Sequence, residues 1–509
     1  MRGQSSAGRR TVRRLGALAG GVLLLAACTS APANPQSSAP PPPRELPRSI
    51  RAEITFESYR LSAPGPEADA LRGIIADFMT EHPNITVRLR VPEPDDTVPG
   101  AASLAAAAAD GDPPDVADVM MAGKFHAIDE LGAVNLNKLF NGMGPVDDVL
   151  RGDYGIVEQA RWLGFGVEDP YGLPFQISTP VLWYNRDALA DAGLGTDVNL
   201  TTWQAVHETA RVLSERAGRP ALGITCLAAG PSPCLSGLIE SAGGGLLAPG
   251  SQRLTFDSPE TIAAVEQIAE LNDDDVLATG NQTELLAGFA AGEFPLLLAS
   301  STAEPALFEA AQRQGWALAN TRMPAFGHRP TSPTADASLL MMFAAERNKR
   351  SAAWMLMRYL TDSNTQEEFI VQLGYLPIRP GMLGEGQPLY TWGQENPYLQ
   401  ANLAQSAQMV APPVYPGARF AQIDAVLRIG TRNGARQLVG RLDHRHQPVF
   451  QRTRQFGKRR GRGVLAHPHL HGIVAQGRDQ DLVGTGKAVG HVTLRRNGSH
   501  ADQSTFTST

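Results

Sequence analysis

One stretch of the chain reads LPFQISTPVLWYNRD, over residues 173–187. Its apolar and β-branched residues predict a strand over 175–184. The strand leads into a predicted helix over 186–192, which Gly193 ends because glycine readily takes the left-handed conformation at a helix C-terminus. A strand followed closely by a helix is the unit from which α/β folds are built.

The same alternation is clearest nearer the N-terminus. Apolar stretches at 54–56, 85–89 and 116–121 predict strands, and stretches at 68–80 and 101–109 predict helices. The order strand, helix, strand, helix, strand at this spacing predicts an α/β fold with a mostly parallel sheet covered by helices. Downstream, Ser258 and Pro259 predict a helix start, and further helices are predicted at 351–359 and 365–373.

The first 28 residues have the pattern of an exported lipoprotein. Four closely spaced arginines, Arg9, Arg10, Arg13 and Arg14, precede an apolar run over 15–27 that ends at Leu25-Ala26-Ala27-Cys28. The run is shorter than the ~20 apolar residues of a transmembrane helix, and small residues before Cys28 predict cleavage at that cysteine after lipid attachment. An ordinary cleaved signal that happens to contain a cysteine is the alternative. Residues 29–52, rich in Pro, Ser and Ala, are interpreted as a tether, so we expect a protein anchored by lipid at the extracytoplasmic face of the cell membrane.

The chain contains only three cysteines, and one of them is Cys28. Cys226 and Cys234 bracket a short loop that contains Gly230, Pro231 and Pro233. An oxidising compartment favours a disulfide between them, and two buried thiols are the alternative. Two ligands are too few for a structural zinc site.

Charge is unevenly distributed along the chain. The net charge is -6, yet residues 430–509 carry 14 Lys and Arg against four Asp and no Glu. The preceding body is therefore strongly acidic, which disfavours binding to nucleic acid or to anionic lipid. The tail 430–509 is interpreted as disordered chain or as the product of a shifted reading frame.

The tail also contains three alternating histidines, His467, His469 and His471. An extended chain would place their imidazoles on one side, which is typical of a zinc or copper patch. The flanking sequence has no apolar period and is typical of solvated chain, so we predict no metal site.

The sequence carries none of the usual short catalytic motifs. A Gly-rich phosphate loop, an HExxH pair and a GxSxG elbow are all absent. We therefore expect no cofactor and no ATP hydrolysis by this chain. Because carboxylates are abundant, a lipid-anchored enzyme that processes carbohydrates with a carboxylate pair stays open as an alternative.

Aromatic residues of the body stand next to polar residues at several places. Sugar rings stack their apolar faces on aromatic side chains while their hydroxyls need polar partners, so this composition suits a carbohydrate cleft. Core packing is the alternative for each residue. The residues are Tyr59, Trp162, Tyr171, Trp183, Tyr184, Tyr375, Tyr390, Trp392 and Tyr415.

Further motifs follow the 173–187 stretch in order. They are Phe289-Ala290-Ala291-Gly292-Glu293-Phe294, Ala299-Ser300-Ser301, Ala352-Ala353-Trp354, Gly374-Tyr375-Leu376-Pro377 and Pro416-Gly417-Ala418-Arg419. Over residues 54–428 the series resembles the carbohydrate-type solute-binding proteins of ABC importers, and within that group the periplasmic glycerol-3-phosphate-binding proteins.

The resemblance implies an α/β fold of two lobes, the type II periplasmic-binding-protein fold. Lobe 1 is expected to hold residues 53–182 and 299–340, and lobe 2 to hold 183–298 and 341–429. Three segments near 181–184, 295–301 and 338–344 are expected to cross between them. Such a monomer binds a small ligand between its lobes, closes by a hinge and presents the closed form to an ABC permease, without catalysis.

The resemblance places ligand contacts at Ser178, Ser301, Tyr375 and Arg419, with Ser300 as the alternative to Ser301. These residues offer hydroxyls, an aromatic ring and a cation. A guanidinium can hold a phosphate or form a fork onto sugar hydroxyls, and an ordinary salt bridge is the alternative role for Arg419.

Other positions depart from the family pattern. Thr97 stands where the family has tyrosine, Met121 where it has glutamate, and Ala335-Asp336 where it has two glycines. The family tryptophan is replaced within residues 230–233. Because Asp336 would repel a phosphate, glycerol-3-phosphate is not the expected ligand. A neutral sugar, a glycerophosphodiester or other polyol derivative, or a cationic amino sugar fits the acidic body better.

Overall fold

A computed structural model of the chain describes residues 45–92, 98–139, 162–164, 169–228, 233–245, 255 and 258–411. The strands in these ranges are β1 (Ala52–Ser58), β2 (Ile85–Arg90), β3 (Val116–Met120), β4 (Gly172–Ser178), β5 (Pro180–Asn185), β6 (Leu222–Ile224), β7 (Leu296–Ser300), β8 (Leu318–Arg322) and β9 (Asp336–Met342).

The helices in the same ranges surround these strands. They are α1 (Pro66–Glu81), α2 (Ala101–Ala109), α3 (Lys124–Asp129), α4 (Leu136–Leu139), α5 (Arg186–Asp191), α6 (Trp203–Ala217), α7 (Thr225–Ala228), α8 (Pro233–Ser241), α9 (Pro259–Asp273), α10 (Gln282–Ala290), α11 (Glu304–Gln314), α12 (Arg347–Leu360), α13 (Ser363–Leu373), α14 (Tyr390–Glu395) and α15 (Pro397–Ser406).

Local sequence explains where several helices begin. Thr202 and Ser258 cap α6 and α9, and each side chain accepts a hydrogen bond from the backbone N–H three residues later. The helix α10 begins with a capping box formed by Asn281 and Glu284. These caps satisfy N–H groups that the first helical turn cannot pair internally.

The first sheet has five strands in the order β2-β1-β3-β9-β4. β2, β1 and β3 run parallel, as the strand-helix-strand pattern predicts. β9 is antiparallel to both of its neighbours. The sheet is therefore mixed rather than mostly parallel, because β9 comes from a distant part of the chain whose direction the N-terminal pattern does not report.

The second sheet has four strands in the order β6-β7-β5-β8, with β5 antiparallel to β7 and β8. Leu182 packs into one apolar core, whereas Val181 and Trp183 pack into another core on the opposite face. Successive strand residues point to opposite faces, so a sheet covered on both sides needs an apolar residue at every position.

The chain first passes between the sheets at Thr179, which is the single residue between β4 and β5. The continuous strand predicted over 175–184 is therefore two strands in two different sheets. A second passage joins β8 to β9, and Thr334 in it forms a bridge with Val410. A third follows α13, since α15 packs on β8 in the second sheet. The predicted crossings at 181–184, 295–301 and 338–344 coincide with β5, β7 and β9 instead.

Two regions of the chain pack in the lobe opposite to the one predicted for them. β8 pairs with β5, and α11 packs into the core of the second sheet, so residues 304–322 belong to the second lobe. Trp354 of α12 and Phe369 of α13 are buried in the core of the first sheet, so residues 347–373 belong to the first lobe. The apolar faces of these elements determine their lobe, and their position along the chain does not.

Candidate functional site

A small polar cavity lies where the chain passes between the two sheets. Its volume is about 70 Å³, which is room for a few water molecules. A ligand the size of a sugar therefore requires the lobes to move apart. The cavity is lined by Ser178 and Asp336 of the first lobe, by Pro180, Thr225, Cys226, Cys234, Gln282 and Ser300 of the second, and by Thr179 and Thr334 of the passages.

Strand pairing brings two of the predicted site residues together. The antiparallel register of β4 and β9 places Ser178 directly opposite Asp336. Ser300, at the end of β7, donates a hydrogen bond from its hydroxyl to Ser178 Oγ over 3.0 Å. Because β4 and β7 belong to different sheets, this hydrogen bond joins the two lobes at the cavity wall.

Asp336 is the carboxylate of this cavity. Burial raises the pKa of Asp336, the Arg60 guanidinium opposes that rise, and Glu67 adds to it. Its side chain makes no hydrogen bond or salt bridge with any residue in the described ranges. The carboxylate is thus available to a group that enters the cavity.

Near Asp336 lies a buried cation, Arg60, that was not among the predicted site residues. Arg60 follows β1 and its side chain is 4% exposed. Its Nε donates to Asp118 Oδ2 over 2.8 Å, and its Nη1 contacts Glu67 Oε1. The guanidinium carbon also lies 4.8 Å from the ring centroid of Tyr59. Arg60 is therefore held by charge and by aromatic contact.

The remaining N–H groups of Arg60 are also engaged. Nη1 donates to the Tyr375 hydroxyl over 2.6 Å, and Nη2 donates to the Tyr59 hydroxyl over 2.6 Å and to Ser338 Oγ over 3.1 Å. A guanidinium has five N–H donors, so every donor of Arg60 has an acceptor within the protein. Arg60 has no donor left for a ligand.

A sequence signal for this cluster does exist. β1 and β3 are parallel neighbours, and Ser58 at the end of β1 pairs with Asp118. Carboxyl ends of parallel strands meet at one edge of a sheet, so a basic residue just after one strand and an acidic residue on the next predict an ion pair there.

Tyr375 belongs to the Arg60 cluster and does not line the cavity. Its hydroxyl donates to Glu67 Oε1 over 2.6 Å while it accepts from Arg60. Burial raises the pKa of Tyr375 well above its usual range, so the hydroxyl keeps its proton. The structure therefore places Tyr375 as support for the first-lobe wall.

Ser301 is likewise outside the cavity. It is 2% exposed, and its hydroxyl donates to the Gly374 carbonyl oxygen over 3.0 Å. Gly374 has φ +69°, and a Cβ atom there would lie 2.8 Å from the Ser301 carbonyl oxygen. The two residues form a close contact between the lobes, and Ser300 is the serine that faces the cavity.

Cys226 and Cys234 are joined by a disulfide, with their Cα atoms 5.3 Å apart. The bond connects α7 to α8 on the second-lobe side of the cavity. It fixes two short helices whose ends carry cavity-lining residues.

Other predicted positions have different locations. Met121 is 2% exposed in the first core, and Trp183 is fully buried in the second lobe. Several predictions lie outside the described residues: the lipid site Cys28, Thr97, the loop around Pro231, Arg419, and the tail 430–509 with its histidines.

Two structural features are absent from the ranges that the structure describes. No group of three or more His, Cys, Asp or Glu side chains there is arranged to hold a metal ion. No helix there has the length and apolar character needed to cross a membrane.

Comparison with known proteins shows which protein family the sequence matches. A profile of bacterial extracellular solute-binding proteins matches residues 73–392. The sn-glycerol-3-phosphate-binding periplasmic protein UgpB of Brucella melitensis is 24% identical over 238 residues, which are 45% of this chain and 54% of that protein. UgpB of Escherichia coli O6:K15:H31 is 26% identical over 257 residues, 47% of this chain and 56% of that protein. The chain thus spans about half the length of the curated relatives it matches.

Solved structures share the fold. UgpB from Mycobacterium tuberculosis, in complex with glycerophosphocholine, superposes with a TM-score of 0.64 at 22% identity, covering 79% of this chain and 99% of that one. The GacH receptor of Streptomyces glaucescens, solved unliganded and with acarbose, gives a TM-score of 0.63 at 16% identity, with the same coverage. These likenesses confirm the predicted two-lobe α/β architecture.

The profile covers well over half of the chain, and the proteins it describes bind solutes rather than transform them. The prediction of a binding protein, as opposed to an enzyme with a carboxylate pair, is therefore confirmed. This chain belongs to the bacterial extracellular solute-binding protein family.

Proposed function

We infer that this chain is the lipid-anchored receptor of an ABC importer and that it captures a sugar, an amino sugar or a glycerophosphodiester or polyol phosphate for uptake. One observation carries the proposal. A polar cavity lies at the passage between two sheets that each have their own apolar core. The first lobe contributes a hydroxyl and a carboxylate to it, and the second lobe contributes hydroxyls and an amide. A ligand that contacts both walls stabilises the closed arrangement relative to the open one.

Three residues are proposed as ligand contacts. Ser178 and Asp336 line the cavity from the first lobe. Arg419 stays a proposed contact from the resemblance alone. The membrane permease that would recognise the closed form is part of the same proposal, which draws support from the hinge-like single-residue link at Thr179.

Titration calorimetry of the purified chain tests the proposal. The probes are maltose, glucose, glucosamine, glycerophosphocholine and glycerol-3-phosphate. We expect saturable binding of at least one probe without chemical change, and chromatography of the recovered probe checks for turnover. Release of a hydrolysis product would instead favour the carbohydrate-processing enzyme, and absence of binding across the panel would contradict the receptor.

A matched pair of variants localises the site. Ser178→Ala removes a cavity hydroxyl and should lower the affinity for the probe about three- to tenfold, as expected for the loss of one neutral hydrogen bond. Ser363→Ala removes a hydroxyl at the start of α13, away from the cavity, and should leave affinity unchanged. Equal effects of the two variants would place the ligand elsewhere.

The lipid anchor is tested separately. We expect the chain to fractionate with membranes and to incorporate labelled fatty acid, whereas Cys28→Ser should abolish the labelling and release the protein. A chain whose membrane association and labelling do not depend on Cys28 would overturn the anchor without affecting the binding proposal.

A further inference from the structure

The charges around the cavity are unbalanced. Asp336 faces it with no hydrogen bond or salt bridge to the described residues, while Glu67 and Asp118 contact Arg60 behind it. Three carboxylates thus surround one guanidinium. A half-buried carboxylate that forms no ion pair is unfavourable, so the site favours a group that brings positive charge.

Arg60 cannot supply that charge by direct contact, nor can it bind an anionic ligand. Its five N–H groups donate to Asp118, Glu67, Tyr375, Tyr59 and Ser338. A phosphate that entered the cavity would meet Asp336 and find no donor on this guanidinium. The described wall therefore repels phosphate and attracts a cation.

The cavity also presents hydroxyl groups with unused hydrogen-bonding capacity. Thr334 is fully buried, lines the cavity, and its Oγ1 has no hydrogen-bond partner among the described residues. Ser178 Oγ accepts from Ser300 and has a second lone pair. Asp336, Thr334 and Ser178 thus offer oxygen acceptors on one small cavity.

We propose that Asp336 determines ligand specificity by binding a protonated amino group of the ligand, with Thr334 and Ser178 as additional acceptors, so that the ligand is an amino sugar or a similar polyol amine. An ammonium group donates three hydrogen bonds and carries the charge that the cavity lacks. A neutral hydroxyl would satisfy the acceptors but not the charge. This inference rests on the proposed function, because it names the substrate class of the same cavity.

Calorimetry with isosteric sugar pairs tests the proposal on the full chain. Glucosamine is compared with glucose, and galactosamine with galactose, because each pair differs only in an amino group that replaces a hydroxyl. We expect each amino sugar to bind about 10- to 100-fold more tightly than its neutral counterpart, the range of a charge-assisted hydrogen bond. Equal or tighter binding of the neutral sugars, or tight binding of glycerol-3-phosphate, would overturn it.

Variants separate charge from shape. Asp336→Asn keeps the size of the side chain and should remove the preference for the amino sugar, and Asp336→Ser serves if that protein does not fold. Glu266→Gln removes an exposed carboxylate on α9 and should leave the preference intact. An unchanged preference in a folded Asp336 variant contradicts the assignment.

The outcomes also separate this inference from the proposed function. If neutral sugars bind saturably and amino sugars do not bind more tightly, the receptor function is supported and the role of Asp336 is contradicted. If no probe binds, both the receptor function and the role of Asp336 are contradicted.

Discussion

At the scale of single residues, Arg60 connects four segments of the first lobe. Its guanidinium contacts Asp118 on β3, Glu67 on α1, Ser338 on β9 and Tyr375 after α13. Apart from Glu67 and the adjacent Tyr59, these contacts join residues that are distant in sequence. The cluster therefore couples the cavity wall around Asp336 to the packing of the whole lobe.

Replacement of Arg60 by methionine should be strongly destabilising. It would leave the carboxylates of Asp118 and Glu67 without their cation, which costs about 3–5 kcal/mol when a buried pair loses one member. As a control, Arg88→Met breaks the exposed pair with Glu53 and should cost less than about 1 kcal/mol. Urea unfolding measures both, and similar small losses would show that the Arg60 cluster contributes little to stability.

Lys124 offers a second test, in which stability depends on pH. It is 5% exposed, donates to the Leu163 carbonyl oxygen over 3.2 Å, and burial lowers its pKa from 10.5 to about 8. The charged form is thus disfavoured in the folded state. The destabilisation is fully present below pH 8, declines between pH 8 and 10.5, and is absent above that range, where both states are neutral.

Lys124→Met should therefore be more stable than the unmodified chain at pH 6.5, by up to about 3 kcal/mol. The difference should shrink by pH 9.5. The control Lys138→Met changes an exposed lysine and should show no such pH dependence. Unfolding curves at the two pH values measure the effect, and a difference independent of pH would rule out the buried charge as its cause.

The predictability of the site also differs from residue to residue. Ser178, placed by the family motifs, and Asp336, which departs from the family pattern, both line the cavity because neighbouring strands bring them opposite each other. Their role as ligand contacts stays a prediction. The family motifs place Tyr375 and Ser301 near the cavity but do not report that their hydroxyls are already bonded within the protein. Arg60 was missed because three of its five acceptors, Asp118, Ser338 and Tyr375, come from segments that only the folded chain brings together.

At the scale of elements, local sequence signals predicted where some helices and strands begin and end. The helix predicted at 101–109 matches α2, and the strand predicted at 85–89 matches β2 within one residue. Caps and apolar periods act within a few residues, so the sequence reports them directly. The predicted strand at 175–184 failed for the opposite reason, because β4 and β5 are equally apolar and only their pairing partners differ.

The disulfide between α7 and α8 should contribute to stability through the short loop it closes. Cys226 and Cys234 are eight residues apart, and closing a loop of that length is worth about 2–3 kcal/mol. The double variant Cys226→Ala, Cys234→Ala should lose that amount in urea unfolding. A reductant should produce a comparable loss in the unmodified chain and none in the variant, and an unchanged midpoint in both cases would contradict the prediction.

At the scale of the whole molecule, each lobe is assembled from segments that are distant in sequence. The resemblance predicted two lobes and three passages, yet it exchanged residues 304–322 and 347–373 between the lobes. Membership of a lobe depends on which sheet an apolar face covers. Which sheet an apolar face covers is decided in the folded chain, and no periodic pattern in the sequence indicates it.

The close contact of Gly374 with Ser301 across the lobes should be sensitive to a single methyl group. Gly374→Ala adds a Cβ atom 2.8 Å from the Ser301 carbonyl oxygen, in a left-handed backbone conformation. Gly386→Ala is a matched control, because Gly386 has φ +77° and nothing within 4 Å of the added atom. The control should cost about 1–2 kcal/mol from backbone strain alone, and Gly374→Ala should cost more.

Unfolding measurements of the two glycine variants give the difference, which reports the contact between the lobes. Equal costs would show that the Ser301 backbone moves away freely and that this contact does not constrain the hinge.

The order of strands along the chain has a consequence for how the protein is made. All four strands of the second sheet lie between Pro180 and Arg322, whereas the first sheet lacks β9, which separates β3 from β4, until Met342 has been synthesised. Pairings between distant segments form slowly. We therefore expect the second sheet to gain hydrogen-exchange protection before the first during refolding from urea, which pulse labelling measures.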